Sequence, residues 1–183
     1  MNVFEVIATR KSVRSYKEEQ ISDEALTKII EAGQWPPNAG PYQISVLQNP
    51  DFLKKLNNLT ADGMRNSGNE FLMSRIALPG YQPLYGAPTV ILLSAPASIP
   101  YSAMNTALAA ENMLLAATAL DLGSCFLFTP TLAFAGDKTG ELAKEAGIPK
   151  NYTVFCAVIL GYKAGDAFSA PTREKKGSVN YVK

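Results

Sequence analysis

Successive residues of a β-strand point to opposite faces of the sheet, and in three segments of this chain the residues on both faces are apolar. These segments run from Thr89 to Ser94, from Ser124 to Phe128 and from Thr153 to Gly161. A strand with this pattern is buried on both faces, as central strands are, so helices must cover it from both sides. The segments therefore predict a central sheet between helical layers.

Helical patterns and one more strand complete the predicted order. Apolar residues recur at helical spacing in the N-terminal segment and after Ser22, which is a favourable N-cap. Asn49 followed by Pro50 marks another helix start. The predicted helices span 1–9, 23–33, 50–59, 102–120 and 139–146, a strand spans 44–48, and 61–86 is irregular. The whole chain, 1–183, is predicted to form one domain with a mixed sheet.

Charge and hydropathy exclude several classes of protein. The 17 Lys+Arg residues against 16 Asp+Glu leave a net charge of +1, which indicates neither a nucleic-acid nor a membrane surface. The N-terminus has no apolar signal-peptide core. The apolar stretch from Ala103 to Leu120 contains Asn105, Glu111 and Asn112, which argues against a membrane span.

The two cysteines, Cys125 and Cys156, lie in apolar runs without CxxC spacing. They are expected to be buried free thiols rather than part of a disulfide framework. This expectation agrees with a reducing cytoplasmic location.

The chain contains no histidine. A Ser-His-Asp triad, a Cys-His pair and a histidine-ligated metal are therefore excluded. If the protein is an enzyme, either carboxylates, hydroxyls and backbone groups act, or a cofactor carries the chemistry. Both alternatives stay open at this point.

The first candidate binding segment is Arg10-Lys11-Ser12-Val13-Arg14, with three cations and a hydroxyl in five residues. Guanidinium groups, a hydroxyl and backbone N–H groups are the donors that a phosphate prefers. Composition alone favours a solvated basic turn, since cations are also attracted to the C-terminus of a helix. Both interpretations stay open on this segment alone.

The second candidate is the loop from Pro36 to Gln43. Its small residues allow close approach to a flat ring, and Asn38 and Gln43 each offer a donor and an acceptor to the ring's polar edge. An ordinary helix-to-strand loop is the alternative.

Two further segments have weaker signals. Gly123 and Ser124 follow the long helix and are interpreted either as a turn into a strand or as backbone amides that face a ligand. Arg173, Lys175 and Lys176 lie in a polar tail, where a run of charges is usually a solvated surface.

Taken in chain order, these segments resemble the FMN-dependent nitroreductase family. Arg-Lys-Ser-Val-Arg-Ser-Tyr is similar to the family's opening Arg-Arg-Ser-Val-Arg. Trp-Pro-Pro-Asn-Ala-Gly-Pro-Tyr-Gln is similar to its Ala-Pro-Ser-Ala-Gly-Asn-x-Gln-Pro-Trp loop. Gly-Ala-Pro-Thr-Val-Ile-Leu-Leu resembles its central strand, and Leu-Gly-Ser-Cys-Phe its Leu-Gly-Ser-Cys-Trp. Val-Ile-Leu-Gly-Tyr with Arg173 resembles its closing strand and basic tail.

The resemblance implies an α+β fold in three layers, with a mixed, mainly antiparallel central sheet flanked by helices. It also implies an intertwined homodimer with FMN at the interface, so the loop is expected to serve the partner's flavin. The phosphate is expected on Arg10 and Ser12, closed over by Arg173 and Lys175. The implied FMN-binding residues are Arg10, Lys11, Ser12, Arg14, Pro37, Asn38, Ala39, Gly40, Gln43, Gly123, Ser124, Arg173 and Lys175.

The implied activity is an oxidoreductase with a ping-pong mechanism in which FMN carries the chemistry, so neither a catalytic side chain nor a metal site is implied. NADH or NADPH would pass hydride to FMN, and a small oxidised acceptor such as a nitroaromatic or a quinone would then take the electrons. The aromatic residues Phe71, Tyr81 and Tyr85 are candidates for contact with the acceptor, with core packing as the alternative.

The sequence departs from the family pattern in the loop. Pro41 replaces the family's Asn, and Ile44-Ser45 replaces its Pro-Trp. Two other functions therefore stay open: an FMN-binding carrier or sensor without turnover, and an enzyme for which the flavin itself is the substrate.

Overall fold

The structure is a computed structural model that describes residues 1–165, 168 and 174–183. Its sheet has four strands, β1 (Gln43–Leu47), β2 (Thr89–Pro96), β3 (Gly123–Leu127) and β4 (Tyr152–Gly161), in the order β1-β2-β4-β3. Every neighbouring pair in this sheet is antiparallel.

Seven helices surround the sheet in the described part of the chain. They are α1 (Val3–Thr9), α2 (Asp23–Gln34), α3 (Pro50–Arg65), α4 (Glu70–Ile76), α5 (Ser102–Ala119), α6 (Thr131–Ala135) and α7 (Glu141–Glu145). Side-chain caps begin several of them as the sequence predicts: Ser22 Oγ accepts from Ala25 N–H at α2, and Asn49 Oδ1 accepts from Phe52 N–H at α3.

The three-layer α+β arrangement predicted for the chain is confirmed. Alternate residues of β2 enter two separate cores, with Val90 and Leu92 in one and Ile91 and Leu93 in the other. The first core includes residues of α3, α6 and α7, and the second includes residues of α2 and α5. Both faces of the central strands are therefore covered by helices.

The sheet differs from the prediction in two details. Parallel pairing, expected from a mixed sheet, occurs among the described residues only as the isolated bridge between Ser12, outside the four strands, and Ser124 in β3. The strand near residue 126 was expected to be central, but β3 is the edge of the four-stranded sheet and Phe126 is 42% exposed. The apolar pattern of β3 was misleading because Phe126 points out of the fold.

The prediction of an irregular segment from 61 to 86 was wrong over about half of its length. Helix α3 continues to Arg65 through Gly63, where an added Cβ would lie 2.7 Å from Leu132 Cβ. Close packing of α6 against α3 therefore compensates for the weak helix propensity of glycine. Helix α4 follows, and Asn69 Oδ1 caps it by accepting from Leu72 N–H.

Smaller differences occur around β3. Gly123 is the first residue of β3 rather than the end of the long helix, which stops at Ala119. Helix α6 was not predicted, and α7 begins at Glu141, later than the predicted residue 139, because Gly140 has a left-handed φ of 74°.

The two cysteines are free and buried, as predicted. Among the described residues, none of the helices combines the length and the apolar character that a membrane crossing requires.

Candidate functional site

The basic segment, defined here as residues 10–14, leaves α1 and lies along the edge of the sheet. The Arg10 N–H closes α1 by donating to Val6 O at 2.9 Å. The Val13 N–H then donates to Ser124 O at 2.9 Å, and Ser12 and Ser124 form the parallel bridge. These contacts fix the segment directly beside the start of β3.

Gly123 makes this close approach possible. A Cβ added there would lie 3.0 Å from Val13 Cγ1, 3.1 Å from Tyr16 Cε1 and 3.2 Å from Gly161 O. The residue is buried, and the neighbouring Ser124 Oγ is buried with no hydrogen-bond partner among the described atoms. This geometry favours the structural role of Gly123. The predicted role of the two backbone amides toward a ligand stays a prediction.

The Cys125 thiol is influenced by three side chains of the basic segment. Burial raises the pKa of Cys125, while a hydrogen bond with Ser12 and the charges of Arg14 and Arg10 act in the opposite direction. The Arg10 side chain is only 13% exposed, and its Nε lies 3.9 Å from Glu111 Oε1 on α5. The basic segment therefore places positive charge beside the start of β3.

Arg14 is held by an aromatic ring and a backbone carbonyl. Its Nη1 donates to Phe168 O at 3.3 Å, and its guanidinium lies 5.9 Å from the centroid of the Tyr85 ring. In the described part of the chain, no carboxylate lies within ion-pair distance of Arg14. Among the described residues its charge therefore has no acid beside it.

The positions of the other predicted cations give less information about phosphate binding. The Lys11 side chain is exposed, and Lys175 lies in an exposed tail. Arg173, predicted to close over the phosphate, lies outside the described residues.

The predicted loop is anchored on α5. The Ala39 N–H donates to Asn105 Oδ1 at 3.2 Å, and the Gly40 N–H donates to Asn38 Oδ1 at 3.3 Å. Gly40 has a φ of 144° and packs beside Ile99. Only glycine adopts such a φ without strain.

The remaining predicted loop residues frame this turn. Pro37, Asn38 and Ala39 are exposed, and Gln43 is the half-buried first residue of β1. Of the departures from the family pattern, Pro41 is exposed, while Ile44 and Ser45 lie within β1 and pair with Leu93 and Leu92.

Helix α5 separates the loop from the basic segment within one chain. The loop contacts Asn105 and the basic segment contacts Glu111, six residues further along. On an α-helix this spacing is about 9 Å along the axis and about 120° around it. The two predicted parts of the site therefore meet different faces of α5 instead of forming a single cluster.

An aromatic cluster, defined by the rings of Tyr81, Tyr85 and Phe168, lies beside Arg14. The centroids of Tyr81 and Tyr85 are 5.4 Å apart, and that of Phe168 lies 5.5 Å and 6.1 Å from them. Phe71, grouped with the two tyrosines by the sequence, is 68% exposed instead.

Sequence reasoning missed Arg75, which lies in the last turn of α4 with its guanidinium 5.3 Å from the Tyr81 centroid. The sequence could have placed Arg75 on a helix only if Asn69 had been recognised as the N-cap of α4.

We expect both thiols to be unreactive in the folded protein. Burial raises the pKa of Cys156 to about 12 and also raises that of Cys125, so almost no thiolate forms near neutral pH. Titration with 5,5′-dithiobis(2-nitrobenzoate) should release no colour natively and two equivalents in guanidinium chloride. The variant Ser98→Cys, at an exposed position, is the positive control. Rapid native labelling of the unaltered protein would contradict the buried placement.

The fold and the basic segment define an α+β protein with positive charge at one sheet edge, suited to a phosphorylated ligand. Comparison with known proteins defines it further. The model of the nitroreductase family matches residues 7–162. A protein of Archaeoglobus fulgidus, provisionally named as an NADH dehydrogenase/NAD(P)H nitroreductase, is 32% identical over 165 residues, 86% of this chain and 83% of the relative.

Solved structures agree with the sequence matches. The nitroreductase of Bacteroides fragilis with bound FMN superposes with a TM-score of 0.87 and 30% identity, and that of Desulfitobacterium hafniense with bound FMN with 0.90 and 27%. Each comparison covers 100% of both chains. The chain belongs to the nitroreductase family.

Proposed function

We propose that this protein is an FMN-dependent oxidoreductase that takes hydride from NADH or NADPH and reduces a small acceptor such as a nitroaromatic or a quinone. The observation that carries the proposal is that the segment with Arg10, Ser12 and Arg14 is fixed beside the start of β3. It occurs in a fold shared with two structures that contain FMN.

The chemistry of these donors fits a flavin phosphate. A phosphate monoester carries close to two negative charges at neutral pH and accepts several hydrogen bonds. The Arg10 guanidinium supplies positive charge and the Ser12 hydroxyl a further donor, and charge-assisted bonds such as that from Arg10 are the strong ones. The mostly buried position of Arg10 increases the strength of its contact, because water screens it less.

Each predicted residue has a role in this proposal. Arg10 and Ser12 hold the phosphate, with Lys11, Lys175 and Arg173 adding positive charge from outside. Arg14 lies further along the segment, where it stabilises negative charge on the flavin. Asn38, Ala39, Gly40 and Gln43, with Pro37, lie against the ring, and Gly123 and Ser124 support the segment. FMN, when bound, supplies the redox chemistry by accepting hydride and passing two electrons on.

We also propose a homodimer that completes the site. The loop and the basic segment face different sides of α5, so one chain does not bring both to a single ligand. A second copy can supply the missing half. Helices α1 and α5, which pack together, leave Phe4 79%, Val3 60%, Met104 56% and Leu108 46% exposed. An apolar surface of this kind is typical of a permanent subunit interface.

The two free thiols agree with a cytoplasmic location.

Anaerobic stopped-flow absorbance tests the function. Mixing the purified flavin-loaded protein with NADH or NADPH should bleach the flavin's visible band, and menadione or nitrofurazone should restore it. Steady-state data should then give the parallel double-reciprocal lines of a ping-pong mechanism.

Two other outcomes of this experiment would each indicate a different function. A band that neither nucleotide bleaches would indicate a carrier or sensor. Loss of the band without recovery, with a new flavin product in solution, would mean that the flavin is the substrate.

A further inference from the structure

Strained backbone is concentrated in the aromatic cluster. Tyr85 has a φ of 52° and Phe168 a φ of 54°, although neither is glycine and both are bulky. Left-handed backbone is unfavourable for such residues, and it persists only where the surrounding structure imposes it. Strained residues gather at ligand clamps more often than elsewhere. Two of them in ring contact make this cluster the strongest candidate for a further site.

The rings are also accessible. Tyr81, Tyr85 and Phe168 are each half-buried, and their mutual contacts are edge-to-face or tilted rather than stacked. A guanidinium lies over one face of each tyrosine ring, so a flat molecule would contact the remaining exposed part of the rings. The hydroxyls of Tyr81 and Tyr85 lie 3.1 Å apart and add polar groups at one end of the cluster.

Positive charge flanks the rings on two sides. Arg75 lies over Tyr81, and Arg14 lies over Tyr85. Within the described residues neither arginine has a carboxylate at ion-pair distance. Burial and the neighbouring Tyr85 raise the pKa of Tyr81, so its phenol stays neutral near pH 7 and adds no negative charge. A flat molecule with a negative charge is the ligand that this combination of groups favours.

The cluster lies away from the proposed phosphate contact. Arg10 and Arg14 are four residues apart in an extended segment, which spans roughly 13 Å. If Arg10 holds the phosphate, Arg14 and the rings beside it lie toward the other end of the flavin. An acceptor bound on the rings would then be near the part of the flavin that gives up electrons.

We propose that Arg75, Tyr81 and Tyr85 bind the acceptor and select a planar aromatic molecule that carries a carboxylate or similar anionic group. The rings contact the aromatic plane, and Arg75 contacts the anionic group. This inference rests on the proposed function, because it names the class of acceptor.

Binding of molecules that cannot be reduced tests the site without turnover. Calorimetry of the FMN-loaded protein should show 4-chlorobenzoate bound on the order of tenfold more tightly than 4-chlorobenzamide, its neutral counterpart. Arg75→Gln should abolish this preference, and Arg75→Lys should keep part of it. Arg65→Gln, which alters an exposed arginine paired with Asp62 on α3, is the matched control and should keep all of it.

Turnover gives a second readout. Arg75→Gln should raise the KM for 4-nitrobenzoate on the order of tenfold, and should change the KM for 4-nitrobenzamide far less. Equal binding of the charged and neutral molecules, or an equal effect of Arg75→Gln on both, would overturn the inference. If NADH and NADPH support reduction of neither nitro compound while the binding preference holds, the proposed function fails and the anion site stands.

Discussion

Replacing Arg10 with alanine is expected to weaken FMN binding by roughly 1.5–3 kcal/mol, which is on the order of tenfold to a hundredfold in Kd. The physical reason is the loss of a charge-assisted contact from a side chain that is only 13% exposed. Glu111, the acid beside Arg10, is 54% exposed and remains solvated in the variant, so the fold should tolerate the change. Fluorescence titration of flavin-free protein with FMN measures the effect.

Riboflavin and a neighbouring lysine provide the controls for this variant. Riboflavin lacks the phosphate, so its affinity should be the same in the Arg10→Ala variant and the unaltered protein. Lys11→Ala removes an equal charge from an exposed side chain and should change FMN affinity far less. If Arg10→Ala retains FMN fully, the phosphate lies elsewhere on the molecule.

Replacing Gly123 with valine should lower stability and FMN affinity together. The added Cβ meets Val13, Tyr16 and the immobile backbone oxygen of Gly161 at 3.0–3.2 Å, and valine adds two methyl groups beyond it. Overpacking of this kind costs roughly 1–3 kcal/mol. In a chain of this size each kcal/mol lowers Tm by about 2–4 °C. The basic segment should move away from β3, and its proposed contacts with the phosphate should be weakened as a result.

Gly136→Ala is the matched substitution, since its Cβ would meet no atom closer than 3.6 Å among its nearest neighbours, an ordinary contact distance. Differential scanning fluorimetry with and without FMN compares the two variants. A Gly123→Val protein that keeps its Tm but loses FMN would favour direct contact between this turn and the flavin.

The central fold could be predicted from the sequence because the patterns that specify its strands and helices are local. The apolar strands β2 and β4 and the capped starts of α2 and α3 each lie in one continuous segment. Helices α4 and α6 were not predicted because they are short and depend on tertiary contacts: α6 packs where Gly63 leaves room for Leu132. The edge position of β3 depends on strand order, which no local pattern encodes.

The same distinction holds for the candidate site. The basic segment was found from composition and spacing, and the structure places it beside the start of β3. The position of Arg75 over Tyr81 was not predictable, because it requires α4 to turn its last residues toward a loop. Arg14 was identified, but its stacking on Tyr85 depends on a backbone conformation that aromatic residues rarely adopt.

The attachment of the basic segment to the sheet has a consequence for how the protein matures. The Val13 N–H bonds to Ser124 O, and the Lys17 N–H bonds to Tyr162 O, so residues synthesised early are fixed by residues synthesised much later. Contacts between such distant parts of a chain form slowly, after local structure. The basic segment can therefore reach its final position only once β3 and β4 have been made and paired. Cofactor uptake would then be one of the last events in folding. Until that point the basic segment of the emerging chain would lack its hydrogen-bond partners in the sheet.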